Sequence, residues 1–197
     1  PDKHVKKLQS FGQTVVIAFN KFATDTDEEI EVLRKHCEEM GCGFAVNSAF
    51  AEGGNGAIEL ANLVVKTIDE RPSAPLYFAY DDNDSVEEKI EKVAFNLYGA
   101  GSVTLSDSAK AMIEEIKKLG AEKFPICIAK TQYSFSTDAK AYGPTEGFEL
   151  HVRDITVNMG AEMVVVIAGP IMRMPGLPKS PQAERIDVVN GEITGLS

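Results

Sequence analysis

The sequence predicts an α/β chain, with a parallel layer at its amino end and a mixed α/β portion after it. Three observations carry this. Thr14–Phe19 is a continuous apolar, β-branched run of the kind a parallel sheet buries on both faces. Thr26-Asp27-Glu28-Glu29 then opens a helix, with a hydroxyl cap and carboxylates at the positive end of the helix dipole. A second short apolar run, Gly43–Val46, leads through a glycine-rich loop into another helical pattern. Strand, helix, strand and helix in this order form a parallel β-α-β-α unit.

The first helix is expected to end near Met40-Gly41. The second is expected over about Gly56–Glu70, with Ile58, Ala61, Leu63, Val65 and Ile68 on or near its buried side. Pro72 and Pro75 break the pattern, and Leu76–Tyr80 reads as a strand before the acidic cap Asp81–Ser85. The expected division is therefore residues 1–72 and residues 73–197. Helices at about Val86–Tyr98 and Asp107–Leu119 flank a strand at Ser102–Leu105, with Gly99-Ala100-Gly101 as a helix stop and Ser106 as a cap. Pro125–Lys130, Gly147–Val157 and Met163–Ala168 are three further apolar runs.

The 197 residues include 20 Lys and Arg against 30 Asp and Glu, a formal charge of -10, which argues against a nucleic-acid surface. At 44% hydrophobic residues the chain can bury a substantial core. Cys37, Cys42 and Cys127 form no CxxC pair and have no His at zinc spacing, so neither a disulfide framework nor a metal site is indicated, and a reducing cytoplasm fits. No apolar run approaches the ~18–20 residues that span a bilayer. The amino end, Pro1-Asp2-Lys3-His4, is neither a signal peptide nor an initiating methionine, and the chain reads as a piece of something longer.

Two loops carry the chemical signal. Asn20-Lys21-Phe22-Ala23-Thr24-Asp25 follows the first strand, and Ser48–Gly56 follows the second. Each sets an aromatic ring on a polar or glycine-rich turn at the carboxyl end of a strand, where open α/β sheets line their ligand crevice. Phe22 and Phe50 are thus candidates to hold one flat ligand between them; core positions are the alternative. Asn20-Lys21 and Ser48-Ala49 resemble the base-reading loops of GTPases, but Ala23 stands where a guanine-reading carboxylate belongs, and a plain turn is equally compatible. Gly53 and Gly54 either bring backbone N–H groups to an anion or form a flexible turn. Lys130-Thr131-Gln132-Tyr133-Ser134 ends a strand in polar groups, as a ligand-reading segment or a capped turn. Pro175-Gly176 suits a type II turn, whose flanking Arg173 and Lys179 are either anion-binding or solvated. His4, His36 and His151 are isolated from one another and receive no catalytic role.

Taken together these residues resemble the carboxyl-terminal part of formate–tetrahydrofolate ligase. The resemblance runs from about His4 to Ser197. Its stations are Val15–Phe22 with Thr24-Asp25-Thr26, then Ala51–Gly54 with Gly56–Ala61, Glu88–Glu91, Tyr98-Gly99-Ala100, Pro125–Ser134 and Met174–Pro178. It implies a parallel P-loop-NTPase-like layer at the amino end and an ATP-dependent ligase. Formate and ATP give formyl phosphate, and N10 of tetrahydrofolate takes the formyl group. The family stacks the pterin between aromatic residues on two such loops, which carries that role onto Phe22 and Phe50, with Asn20, Lys21, Gly53, Gly54, Pro175 and Gly176 near the cleft. The family commonly has Trp at Phe50 and Pro at Ala23. A smaller π-face weakens stacking without abolishing it.

No Gly-x-x-x-x-Gly-Lys-Ser/Thr occurs in the chain. The site for ATP with Mg is therefore expected upstream in the same protein, and the fragment is expected to be inactive alone. A homotetramer and a monovalent cation are implied by resemblance only. No catalytic residue is assigned. Two alternatives are a GTP-binding switch fragment and a noncatalytic folate-binding or assembly module.

Overall fold

Val16–Asn20 (β1) and Gly43–Asn47 (β2) pair in parallel, so a crossover must connect them, and the 13-residue helix Asp27–Glu39 (α2) supplies it. A computed structural model of the chain describes residues 2–171 and 178–195. Thr26 caps α2: its hydroxyl accepts the Glu29 N–H while the Glu29 carboxylate accepts the Thr26 N–H, a reciprocal capping box. Asp2–Ser10 (α1) packs beneath this layer, where Gln9 Nε2 donates to the Met40 carbonyl at 3.0 Å. Val5, Val15, Ile30, Cys37, Cys42 and Phe44 form its small core.

After β2 come a four-residue helix, Ala49–Glu52 (α3), a 3₁₀ turn, Gly53–Ala57, and the helix Ile58–Glu70 (α4). The expected buried side of α4 is corrected here. Leu63 packs over Gly43 and Thr67 is buried, but Ile58, Val65 and Ile68 are 54%, 59% and 63% exposed and Ala61 is exposed as well. The apolar residues of α4 occupy more than one face, and a sheet of two strands covers only one of them.

Leu76–Tyr80 is not a strand either. It pairs with no strand; the Tyr77 N–H donates to the Phe11 carbonyl and, just before the run, the Ala74 N–H donates to that of Gly12. Pro72 and Pro75 lack the N–H groups a ladder needs.

The remaining chain builds a mixed four-stranded sheet. Its strands are Ser102–Leu105 (β3), Ile126–Ala129 (β4), Glu149–Asn158 (β5) and Met163–Ala168 (β6), in the order β3-β5-β6-β4. β3 is parallel to β5, β4 is parallel to β6, and β5 and β6 are antiparallel. Val86–Lys92 (α5) continues as a π-helical turn to Tyr98, which Gly99 stops in the left-handed region, and Asp107–Leu119 (α6) is capped by the Ser106 hydroxyl. These helices pack Val86, Ile90, Ile113 and Ile116 against Leu150, Val152, Ile155, Val164 and Val166. The Lys89 side chain is fully buried here, which its ammonium tolerates by donating to the carbonyls of Glu122 and Phe124 at 2.7 and 3.2 Å.

A hairpin of Asp187–Val189 (β7) and Glu192–Thr194 (β8) turns at Asn190-Gly191, both with positive φ. An Asn-Gly pair between two short runs that carry β-branched residues is the sequence signal of such a hairpin. Among the described residues no helix is long and apolar enough to cross a membrane.

Candidate functional site

β1 and β2 end in register, Asn20 opposite Asn47, so the segments that follow leave from one edge of the sheet. In α/β folds that edge holds ligands. Asn47 Nδ2 donates to Asn20 Oδ1 at 2.8 Å, and the Lys21 N–H donates to the Asn47 carbonyl at 3.0 Å. These two bonds tie the loops together at their base.

In the first loop the Phe22 N–H donates to Asp25 Oδ2 at 2.7 Å, and the Asp25 N–H returns to the Phe22 carbonyl at 3.1 Å. The Asp25 carboxylate is engaged by its own loop. Lys21 Nζ reaches Asp27 Oδ1, in the first turn of α2, at 3.2 Å. In the second loop the Ser48 N–H donates to the Gly56 carbonyl at 3.1 Å, closing a ring of chain that carries Phe50 on α3 and Gly53 and Gly54 in the turn behind it. A Cβ at Gly56 would lie 2.5 Å from the Ser48 carbonyl carbon, so only glycine permits this closure.

Phe22 is 60% exposed and Phe50 93% exposed, so neither ring is part of a core. Both rings stand on loops that leave the same sheet edge, beyond the Asn20–Asn47 bond. Gly53 and Gly54 are both exposed. Pro175 and Gly176 lie outside the described residues.

A sequence model described as formate–tetrahydrofolate ligase matches residues 2–197. The chain belongs to the formate–tetrahydrofolate ligase family. Curated formate–tetrahydrofolate ligases to which it is similar include those of Bacteroides fragilis (63% identical over 196 residues), Phocaeicola vulgatus (64% over 196) and Campylobacter curvus (47% over 197). These alignments cover 98 to 100% of this chain. The chain spans about 35% of the length of these relatives.

The chain also holds a cluster that the linear sequence hides. A cavity of about 890 Å³ opens between α1 and the segment after β4, lined by Lys3, Lys7, Tyr98, Lys130 and Phe135 among others. Lys7 Nζ sits 3.9 Å from the Phe135 ring centroid and Lys130 Nζ 4.8 Å from that of Tyr98. Burial first, then the charges of Lys3 and Lys130, push Lys7 down to about 8. Lys130-Thr131-Gln132-Tyr133-Ser134 was legible as a polar strand end, but its partners on α1 come from the far end of the chain. Only the fold brings them together.

Proposed function

We propose that this chain forms the folate side of a formate–tetrahydrofolate ligase cleft, with Phe22 and Phe50 stacking the pterin. The observation that carries this reading is the pair of exposed rings on loops tied at one sheet edge in a chain of this family. Each ring offers a π-face at little conformational cost, and an aromatic pair of this kind adds about 0.5–1.5 kcal/mol beyond area burial. Residues 1–72 are assigned to a P-loop-NTPase-like layer bearing the cleft, and residues 73–197 to a mixed α/β domain. Asn20, Lys21, Gly53 and Gly54 border the cleft.

In the whole ligase, a formate oxygen attacks the terminal phosphorus of ATP, releasing ADP and leaving formyl phosphate. N10 of tetrahydrofolate then attacks the formyl carbon: a C–N bond forms, the C–O bond to phosphate breaks, and N10 gives up its proton. An acyl phosphate survives only where water is excluded, and a pterin clamped between two rings covers the reacting carbon. This chain has no Gly-x-x-x-x-Gly-Lys-Ser/Thr phosphate loop. On that ground the site for Mg-bound ATP is assigned to upstream residues of the same protein, and the chain alone is assigned no ligase activity. A monovalent cation, a homotetramer and a cytoplasmic location belong to the same reading, on the family resemblance.

Ala23, standing where a guanine-reading carboxylate belongs, weighs against the guanine-binding alternative. Calorimetric titration with tetrahydrofolate, with GTP and ATP in parallel, tests the proposal. Tetrahydrofolate is expected to bind and the Phe22→Ala, Phe50→Ala double variant to lose it, each ring contributing about tenfold. Tight GTP binding, or folate binding unchanged in the variant, overturns the assignment. Release of ADP by this chain with formate would overturn the division of labour.

A further inference from the structure

The cavity between α1 and the carboxyl end of β4 gathers more positive charge than the fold uses. Lys21, Lys92 and Lys117 each have a carboxylate within ion-pair distance. Among the described residues, Lys3, Lys7 and Lys130 have none within 4.0 Å. Of the two carboxylates lining the cavity, Asp2 is taken by His36 at 2.8 Å, and Glu146 lies beyond ion-pair distance of all three lysines.

Their donors are also left over. An ammonium carries three N–H donors. Lys3 gives one to the Thr145 carbonyl at 2.6 Å, Lys130 donates to the carbonyls of Thr131 and Ser134, and Lys7 makes no hydrogen bond among the described residues. What holds Lys7 is the ring face of Phe135, over which Lys3 Nζ also lies, at 4.6 Å from the centroid. Three ammonium groups converging on two rings in a chain of net charge -10 repel one another, and an anion between them would relieve that repulsion.

We propose that this cavity binds an organic polyanion, a small molecule with two or more carboxylate or phosphate groups, held by Lys3, Lys7 and Lys130. A volume of about 890 Å³ exceeds what a lone inorganic ion fills and matches a small organic ligand. Lysines act as point charges, so the site selects for summed negative charge without demanding the planar geometry an arginine reads. The depression of Lys7, by burial and by the charges of Lys3 and Lys130, marks a group whose protonated form an anion would favour.

The site is separate from the Phe22 and Phe50 loops. α2 begins just after β1 ends and runs back to the amino end of β2. Its last turn therefore lies at the opposite sheet edge from Phe22 and Phe50, and it is there that His36 and Met40 meet Asp2 and Gln9 of α1. The proposal consequently stands whether or not the folate assignment does.

Hydrogen–deuterium exchange of the protein with pyrophosphate or citrate added tests it, because the readout is local and ignores anion binding elsewhere. Slower exchange in residues 2–10, 130–135 and 143–146 is expected with at least one probe. Protection by pyrophosphate alone identifies phosphate groups as the source of charge, and protection by citrate alone a polycarboxylate. In the Lys7→Met, Lys130→Met double variant, which keeps the apolar stems, the probe concentration needed should rise at least tenfold. If that variant melts early, Lys7→Met alone gives the same reading, with a rise of about tenfold. No protection by either probe, or protection undiminished in the variants, overturns the proposal.

Discussion

A phenylalanine that is 93% exposed contributes almost nothing to folding. Phe50→Ala should therefore leave stability within about 0.5 kcal/mol of the parent, measured by denaturant unfolding, so that loss of folate binding in the same variant is not unfolding in disguise. Lys7 behaves in the opposite way. Its folded pKa of about 8 lies below the ordinary 10.5, so the unfolded chain holds this proton more tightly than the folded one. The resulting penalty is full below pH 8 and is relieved as pH rises from about 8 towards 10.5. Stability of the parent relative to Lys7→Met should consequently climb across that window. Cys37 and Cys42, whose thiols burial pushes up, pull stability down over the same range as their unfolded thiols ionise. That contribution is common to both proteins and cancels in the difference.

At the scale of elements, the Ser48–Gly56 ring depends on one missing methyl group. Gly56→Ala forces the backbone apart at Ser48 and re-aims α3, so tetrahydrofolate affinity should fall by about tenfold or more while the mixed sheet keeps its circular-dichroism signal and melting behaviour. The elements best legible in the sequence were those whose local chemistry and tertiary surroundings agree. Thr26 and Ser106 announced their helices through cap residues, and Thr14–Phe19 and Met163–Ala168 announced strands through β-branched runs. Leu76–Tyr80 misled because an apolar run says nothing about where its hydrogen bonds go, and the Tyr77 N–H goes to the Phe11 carbonyl. The Val188–Ile193 hairpin was missed despite its Asn-Gly turn because its strands are too short to alternate convincingly. Phe22 and Phe50 could be placed on strand-end loops from sequence, since loop position follows from strand order. The lysine cavity could not, because it depends on how α1 docks.

Among the described residues the molecule has two cores of unequal size, and α4 presents an exposed apolar face. Val64, Val65 and Ile68 of α4 stand 39%, 59% and 63% exposed, and β1 has a single strand neighbour. With relatives of which this chain spans about 35%, the occupant we assign to this face is the remaining polypeptide of the ligase. Val65→Lys should then change the stability of this chain by less than about 0.5 kcal/mol yet destabilise the full-length ligase by about 2 kcal/mol or more, read by thermal unfolding of each. The unequal cores have a further consequence. Six buried residues hold the β1–β2 layer together, and two of them are the thiols of Cys37 and Cys42, while Cys127 stands in the open on β4. The molecule thereby carries its own clock. An alkylating reagent should mark Cys127 at once and Cys37 and Cys42 only when the smaller core breathes, so the lag between them times the opening of the layer that bears Phe22 and Phe50.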